Sequence, residues 1–393
     1  MKKDVKSCME RYYEKVKELG DYLTNHPEIS GEEISSCAYI TGFLEEQGYE
    51  VERKYAGMPN AFRAIDRERR EYTGKKAAFL CEYDALPEVG HACGHSFSCA
   101  ISILGALTLR EAYPDLSMRI DLIGTPGEEF IGGKCYMTEK GGFDEYEYAA
   151  MIHLYNADIT YFEVLASNDR YFTFHGKAAH ASASPEEGVN ALNAARLFMD
   201  AMDMWRQHLT KDCQFHGIVV KGGAAPNIVP DEVSLDYYYR AATLENLKKL
   251  NQISENCARG AAIATGTTVE WQQRYPDYGE IYWDDFLNDL MTELYKKVGR
   301  CPIPSPGAGG SSDIGNVNLK IPVFHSMLDI TGNSKDIVIH DKKFEELLHT
   351  DIMEKTLKDG AIIMAELGYK LAEEQETLKQ IKESHALYRK LKC

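Results

Sequence analysis

The 393 residues carry 44 lysines and arginines against 61 aspartates and glutamates, a formal charge of −17. A chain of this length suits two domains with a large core, and its acidity argues against nucleic acid or an anionic membrane as a partner, because phosphate contact needs clustered Lys and Arg. Ten cysteines lie scattered without regular spacing and no apolar run reaches transmembrane or signal-core length, so a soluble cytoplasmic protein with reduced thiols is expected.

Residues 10–23 have helical spacing (Tyr13, Val16, Leu19, Leu23), and His26-Pro27 ends that helix. Residues 32–47 carry Ile34, Ala38, Ile40, Phe43 and Leu44 on one side of a second helix, and a short strand starts at Gly48. From Lys75 apolar strands alternate with helices. A strand is predicted over 77–80, an apolar helix over 100–109, a strand over 118–124 that runs into Thr125-Pro126-Gly127-Glu128-Glu129, and a strand over 148–152 ending at His153. This alternation predicts an α/β sheet. Around Ala166 the pattern changes to half-exposed strands over 171–176, 215–220, 233–239 and 267–271, with helices over 187–204 and 244–264. A β-α-β-β-α-β order is a ferredoxin-like α+β unit, here inserted in the larger domain. The expected boundaries are 1–167 with 279–393 for the α/β domain and 168–278 for the insert. After Pro276 come a helix near 286–298, a glycine-rich loop over 307–313, a strand over 321–325, one long helix from about 344 to 367, and a charged helical tail over 373–393.

Chemistry gathers at His91-Ala92-Cys93-Gly94-His95, where two imidazoles and a thiol fall within five residues at a strand-to-helix junction. Such soft and borderline donors suggest a metal. Asp84, Glu128 with Glu129, His153 and His325 each follow an apolar strand, and open α/β sheets bind ligands beyond the carboxyl ends of their strands. That many ionisable groups on one rim require a compensating cation. Each has a bland reading by itself: a buried thiol for Cys93, a helix first turn for Glu128-Glu129, a satisfied core histidine for His153 and a loop residue for His180. Their joint placement at successive strand ends makes those readings poor ones.

The chain resembles the aminoacylase/carboxypeptidase family of di-metal peptidases, in its amidohydrolase branch. The resemblance rests on Glu82-Tyr83-Asp84-Ala85-Leu86-Pro87, Gly90-His91-Ala92-Cys93-Gly94-His95, Thr125-Pro126-Gly127-Glu128-Glu129, His153, Gly176-Lys177-Ala178-Ala179-His180, Asn227-Ile228-Val229-Pro230 and Ser311-Ser312-Asp313, in that order. It implies a mixed-sheet catalytic domain with an inserted lid that pairs two copies into a homodimer. It also implies two divalent metal ions (zinc, manganese, cobalt or nickel) held by Cys93, His95, Glu129, His153 and a distal histidine. His340 is the favoured match for the last, and His325 competes from a segment where relatives carry a substrate-side residue. Glu128 matches the general base. Asp84 suits the orienting of a ligand, and His180 the stabilising of an oxyanion. Asn227 and Arg240 are candidates for the substrate carboxylate, with a structural salt bridge the rival for Arg240. His91 matches no ligand and is left to loop or supporting duty. Ser96 departs from relatives, which place Asp or Asn there; its hydroxyl carries no charge, which bears on metal affinity and rate without removing a ligand.

The expected activity is hydrolysis of the amide bond in N-acyl or N-aroyl amino acids or similar small conjugates, by metal-activated water. A dipeptidase or carboxypeptidase with the same site is the nearest alternative. A catalytically weak relative that binds a small ligand is a second, and a serine hydrolase using Ser311 or Ser312 lacks the nucleophile elbow.

Overall fold

The computed structural model describes residues 2–307 and 310–392; Ala308 and Gly309 of the glycine-rich loop fall outside the described residues. The chain divides into two compact units, one running to Glu163 and resuming at Ile281, the other spanning Val164–Glu280.

The first unit opens with α1 (Val5–Asn25), whose Asp4 caps the helix by accepting from Ser7 N, and α2 (Ile34–Glu46). There follow β1 (Tyr49–Arg53), β2 (Phe62–Asp66), β3 (Lys76–Cys81), α3 (His95–Ala112), β4 (Arg119–Gly124), α4 (Gly133–Glu139) and β5 (Ala149–Tyr155). In the second unit lie β6 (Ala166–His175), α5 (Ala191–Trp205), β7 (Gln214–Lys221), β8 (Glu232–Ala241), α6 (Leu244–Thr265) and β9 (Thr268–Gln272). The chain returns to the first unit with α7 (Asp285–Lys297), α8 (Ile314–Asn318), β10 (Val323–Asp329), α9 (Lys342–Leu347), α10 (Ile352–Glu373) and α11 (Gln375–Lys392).

The sheet of the first unit has the order β1-β2-β4-β3-β5-β10. β4, β3, β5 and β10 run parallel, while β1 and β2 add an antiparallel edge. α3 explains much of the packing. Of its 18 residues 16 are buried, as expected of a helix that is apolar all round. Two glycines let it approach α10: a Cβ on Gly105 would meet Met364 Cβ at 2.6 Å, and one on Gly360 would meet Ile101 at 2.8 Å.

The chain crosses from β4, on one flank of β3, to β5 on the other, so a topological switch lies beside β3. β3 and β5 pair only at Ala78↔Ala149 and Phe79↔Ala150. Beyond Phe79 the pairing stops, which puts the switch point at the carboxyl ends of the parallel strands, the usual ligand position in such sheets.

In the second unit, an antiparallel sheet of order β7-β8-β6-β9 packs α5 and α6 around Phe172, Phe174, Phe198, Leu235 and Leu247. With its β-α-β-β-α-β order this is the ferredoxin-like arrangement.

Several details differ from the sequence expectation. His153 and His325 lie inside β5 and β10 rather than after them, because the two strands pair in register from Val323↔Ala149 to Asp329↔Tyr155 and so run past their apolar stretches. The single helix expected over 344–367 is two, α9 and α10, broken at 348–351. The tail is packed: Leu378, Ile381 and His385 of α11 are buried, and the His385 ring meets Asn318 O. β2 has no counterpart in the sequence expectation. Among the described residues no helix is long and apolar enough to cross a membrane.

Candidate metal centre

The His91–His95 segment is a tight turn that feeds α3. Gly94 N–H donates to His91 O at 2.7 Å, and Gly94 takes φ +77°. That left-handed conformation, with Leu154 only 2.8 Å from where a Cβ would stand, requires glycine between Cys93 and His95. His95 is therefore the first residue of a buried helix. Its Nδ1 lies 2.9 Å from Asp84 Oδ1. A carboxylate can only accept, so Nδ1 carries a proton; burial opposes charging the ring, yet Asp84, Glu82 and Glu129 raise its pKa well above the usual histidine value, so a cation at Nε2 would take the place of a proton.

Asp84 holds a second group. Its Oδ2 accepts the Glu129 backbone N–H at 2.9 Å, which fixes the turn carrying Glu128 and Glu129. That turn closes with Gly132 N–H on Gly127 O at 2.8 Å. His153 points from β5 with Nδ1 2.6 Å from Leu154 O, which leaves Nε2 unprotonated. His340 adopts φ +71°, uncommon outside glycine. Its backbone N–H donates to Ala92 O at 3.0 Å, tying this distant loop to the Cys93 turn, and its Nε2 stands 3.8 Å from Glu129 Oε2.

Among the described residues three overlapping sets of donor atoms result, each within 4.8 Å: Cys93 with His95 and His153, Cys93 with Glu129 and His340, and His95 with Glu128 and Glu129. Cys93, His95 and Glu129 each belong to two sets. Among the described residues, His95 Nε2 and Glu129 Oε1 are buried with no hydrogen-bond partner. Orphaned lone pairs at this depth are costly, and cations would satisfy them. Thiolate, imidazole and carboxylate together suit borderline divalent ions.

Electrostatics points the same way. Burial pushes the Glu128 carboxyl well above its usual range, and Glu129, Glu82 and Asp313 push in the same direction. Burial and then Glu129 raise the Cys93 thiol. Burial keeps His153 neutral, its pKa pushed down to about 3. The protein alone thus crowds acids around one point, and divalent ions there invert that logic.

One part of the site has no counterpart in the sequence expectation. Lys134 is fully buried between Glu82 and Asp313, 2.6 Å and 2.7 Å from them. Burial opposes ionisation of Glu82, yet Lys134, His95 and His153 hold its carboxyl down at about 2. Glu82 and Asp313 stand in the motifs quoted above, but no local signal marks Lys134.

Other candidates are placed as follows. His325 is buried in β10 with its ring centroid 6.1 Å from that of His153, outside the three donor sets. His91 is buried next to the Cys93 turn. Ser96 faces α1, its Oγ accepting from Thr24 Oγ1 at 2.8 Å, so its hydroxyl serves helix packing. In the second unit, exposed His180 bridges to Ile228, and Ala181 N–H donates to Asn227 O at 3.0 Å, so His180 and Asn227 are neighbours. Arg240 is not among them. It pairs opposite Ser167 at one end of β6, whereas His180 follows His175 at the other, about 26 Å away at strand rise. Asn227 and Arg240 of one copy therefore cannot grip the same small carboxylate.

The chain is similar to several known proteins. Residues 170–264 match the model of the peptidase dimerisation domain. The Xaa-Arg dipeptidase of Mus musculus is 35% identical over 348 residues, covering 85% of this chain and 80% of the relative. A p-aminobenzoyl-glutamate hydrolase chain from Escherichia coli is 29% identical over 279 residues, 64% of this chain and 56% of the relative. The aminobenzoyl-glutamate utilization protein of Klebsiella pneumoniae has a similar structure (TM-score 0.72, 17% identity, 94% of this chain and 99% of the other). So does the YXEP protein of Bacillus subtilis, a dinuclear metal-binding peptidase of the M20 family (TM-score 0.67, 20% identity, 91% and 99%). Clustered metal donors at the strand ends, and this degree of identity over most of the chain, lead to one conclusion: the protein belongs to the M20 family, is a metal-dependent hydrolase of amide and peptide bonds, and takes two divalent metal ions as its cofactor.

Proposed function

We propose that Cys93, His95, Glu129, His153 and His340 hold the two ions and that Glu128 is the general base in hydrolysis of N-acyl or N-aroyl amino acids or similar small conjugates. The observation that carries this reading is the convergence of the five donors beside a half-buried carboxylate that is adjacent to one of them in sequence. Bound divalent ions supply Lewis acidity, lowering the pKa of water and polarising the scissile carbonyl. Glu128 takes a proton from the attacking water and passes it to the leaving amine. Asp84 keeps the His95 tautomer and holds the Glu129 turn.

His180 is the proposed oxyanion donor. Its Nδ1 accepts from Ala183 N–H at 3.2 Å, which places the ring proton on Nε2, ready to donate. Asn227, its neighbour, is the proposed anchor for the substrate carboxylate, with His325 a proposed supporting contact; Arg240, at the other end of β6, is not proposed to share that grip within one copy. Edge strand β7 exposes Ile218, Val219 and Val220. An apolar edge of this kind invites strand addition, and we assign it to pairing of two copies into a homodimer. Val219→Lys should then give a monomer by light scattering.

A second reading is favoured by the Xaa-Arg dipeptidase relative: cleavage of dipeptides with a cationic carboxy-terminal residue. One panel of acetyl-, benzoyl- and aminobenzoyl-amino acids against Xaa-Arg and Xaa-Lys dipeptides separates the two. Hydrolysis that survives both thorough chelation and Glu128→Gln would sink the shared mechanism.

A further inference from the structure

Beyond the proposed ligands, three fully buried ionisable groups of the first unit form a cluster that proton transfer does not use. Lys134 Nζ pairs with Glu82 Oε1 and Asp313 Oδ1, and Asp313 Oδ2 accepts the Lys134 backbone N–H at 2.8 Å. The three residues come from the end of β3, the start of α4 and the residue preceding α8. Burying charges is a poor route to stability, because desolvation costs several kcal/mol per ion before pairing returns any of it. The placement of the cluster suggests another use. Glu82 Oε2 makes no hydrogen bond among the described residues and stands 3.6 Å from His95 Nε2, the ring nitrogen that Asp84 does not contact. Lys134, for its part, begins the helix that follows the Glu128–Glu129 turn, and Gly133 N–H beside it also reaches Gly127 O at 3.3 Å.

We propose that the Lys134–Glu82–Asp313 cluster is a positioning device for the metal centre. Lys134 locks the Glu82 carboxylate beside His95 and pins the start of α4, which sets the Cys93–His95–His153 position against the Glu128–Glu129 turn. Lys134 touches none of the proposed ligands, so it is a positioning residue. With one ammonium between two carboxylates, the cluster directs net negative charge at the His95 side of the site. Loss of the ammonium leaves two close carboxylates unbalanced, and Glu82 can no longer keep its place.

The inference rests on the proposed ligand set, and the test keeps the two apart. Full-length Lys134→Met and the nearly isosteric Glu82→Gln are compared with wild type by chelator competition for Zn(II), by metal stoichiometry and by the ligand-field spectrum of the Co(II) form. Folded variants should bind one ion 10–100-fold more weakly, the usual cost of losing a partner that orients ligands, and should show an altered Co(II) spectrum. Glu82→Gln gives the answer where Lys134→Met does not fold. A merely structural cluster would lower the melting temperature and leave both dissociation constants and the spectrum unchanged; that result overturns the proposal while wild type still takes up two ions. Wild type that fails to bind two ions, or a Cys93→Ser or His95→Ala variant that binds them unaltered, overturns the ligand set and the proposal with it.

Discussion

Asp84→Asn is the most discriminating single change because both carboxylate oxygens already accept from fixed donors, Oδ1 from His95 Nδ1 and Oδ2 from Glu129 N–H. An amide has the same shape but one acceptor and one donor head. In one orientation its NH2 faces the Glu129 N–H, leaving a buried donor unpaired at a cost of about 1–3 kcal/mol. In the other it faces His95 Nδ1; the ring then relieves the clash by moving its proton to Nε2, which removes the lone pair meant for the metal. Either way a ligand is lost or its turn is loosened. Metal affinity should fall about 10–100-fold, equal to about 1.4–2.7 kcal/mol. Chelator competition at neutral pH reads the affinity, and thermal unfolding with and without Zn(II) separates it from general damage: the metal-dependent rise in melting temperature should shrink more than the melting temperature of the metal-free protein falls. Wild-type affinity for both ions in a folded Asp84→Asn protein would refute the argument that this carboxylate governs the His95 tautomer.

Three further outcomes are expected. Gly94→Ala should cost about 1–2 kcal/mol in urea unfolding from the left-handed backbone alone, and more because Leu154 must move from 2.8 Å; an unchanged urea midpoint would contradict the backbone assignment. Burial, with Asp84 nearby, raises the Glu33 carboxyl from 4.5 to about 7. Between those values only the folded state keeps the proton, so stability falls as pH rises through that window; Glu33→Gln should gain on wild type between pH 5 and 8 in urea unfolding, and parallel pH profiles would count against it. Cys93→Ser removes the soft donor common to two donor sets, so Zn(II) affinity should drop more than Mn(II) affinity, and any thiolate charge-transfer absorption of the Co(II) form should vanish.

How much was legible in the sequence depended on the range of the interactions. The apolar runs of β3, β4 and β5 and the split βαβ order of the inserted unit read directly, since side-chain periodicity encodes them. Glu128, Glu129 and His153 read from their places at or near strand ends, which sheet topology gathers; Cys93 and His95 read from the local density of donors, and His340 only through the family resemblance. What did not read was whatever depends on partners far along the chain. β5 runs on to Tyr155 because β10 pairs with it, and nothing near His153 says so. β2 is short, alternating and charged, and exists as a neighbour of β4. Lys134 looks like any surface lysine; its burial follows from Asp313, 179 residues away. Arg240 and Asn227 both belong to the inserted unit, and only the β6–β8 register shows that its length separates them.

The order in which the ligands occur along the chain has a consequence for biogenesis. Cys93, His95 and His153 belong to the stretch ending with β5, and Glu129 lies among them, whereas His340 arrives only after the whole Val164–Glu280 unit and β10. Synthesis runs from the amino terminus, so the Cys93–His95–His153 position has all its donors while the second position still lacks one. Closing β10 onto β5 across the insert carries a loop-closure penalty that grows only logarithmically with length, about 0.6 kcal/mol per doubling, and an insert already folded shortens the loop that must close. The order of the proposed ligands along the chain thus completes one donor set before the fold is closed, while the other waits for the segment that carries His340.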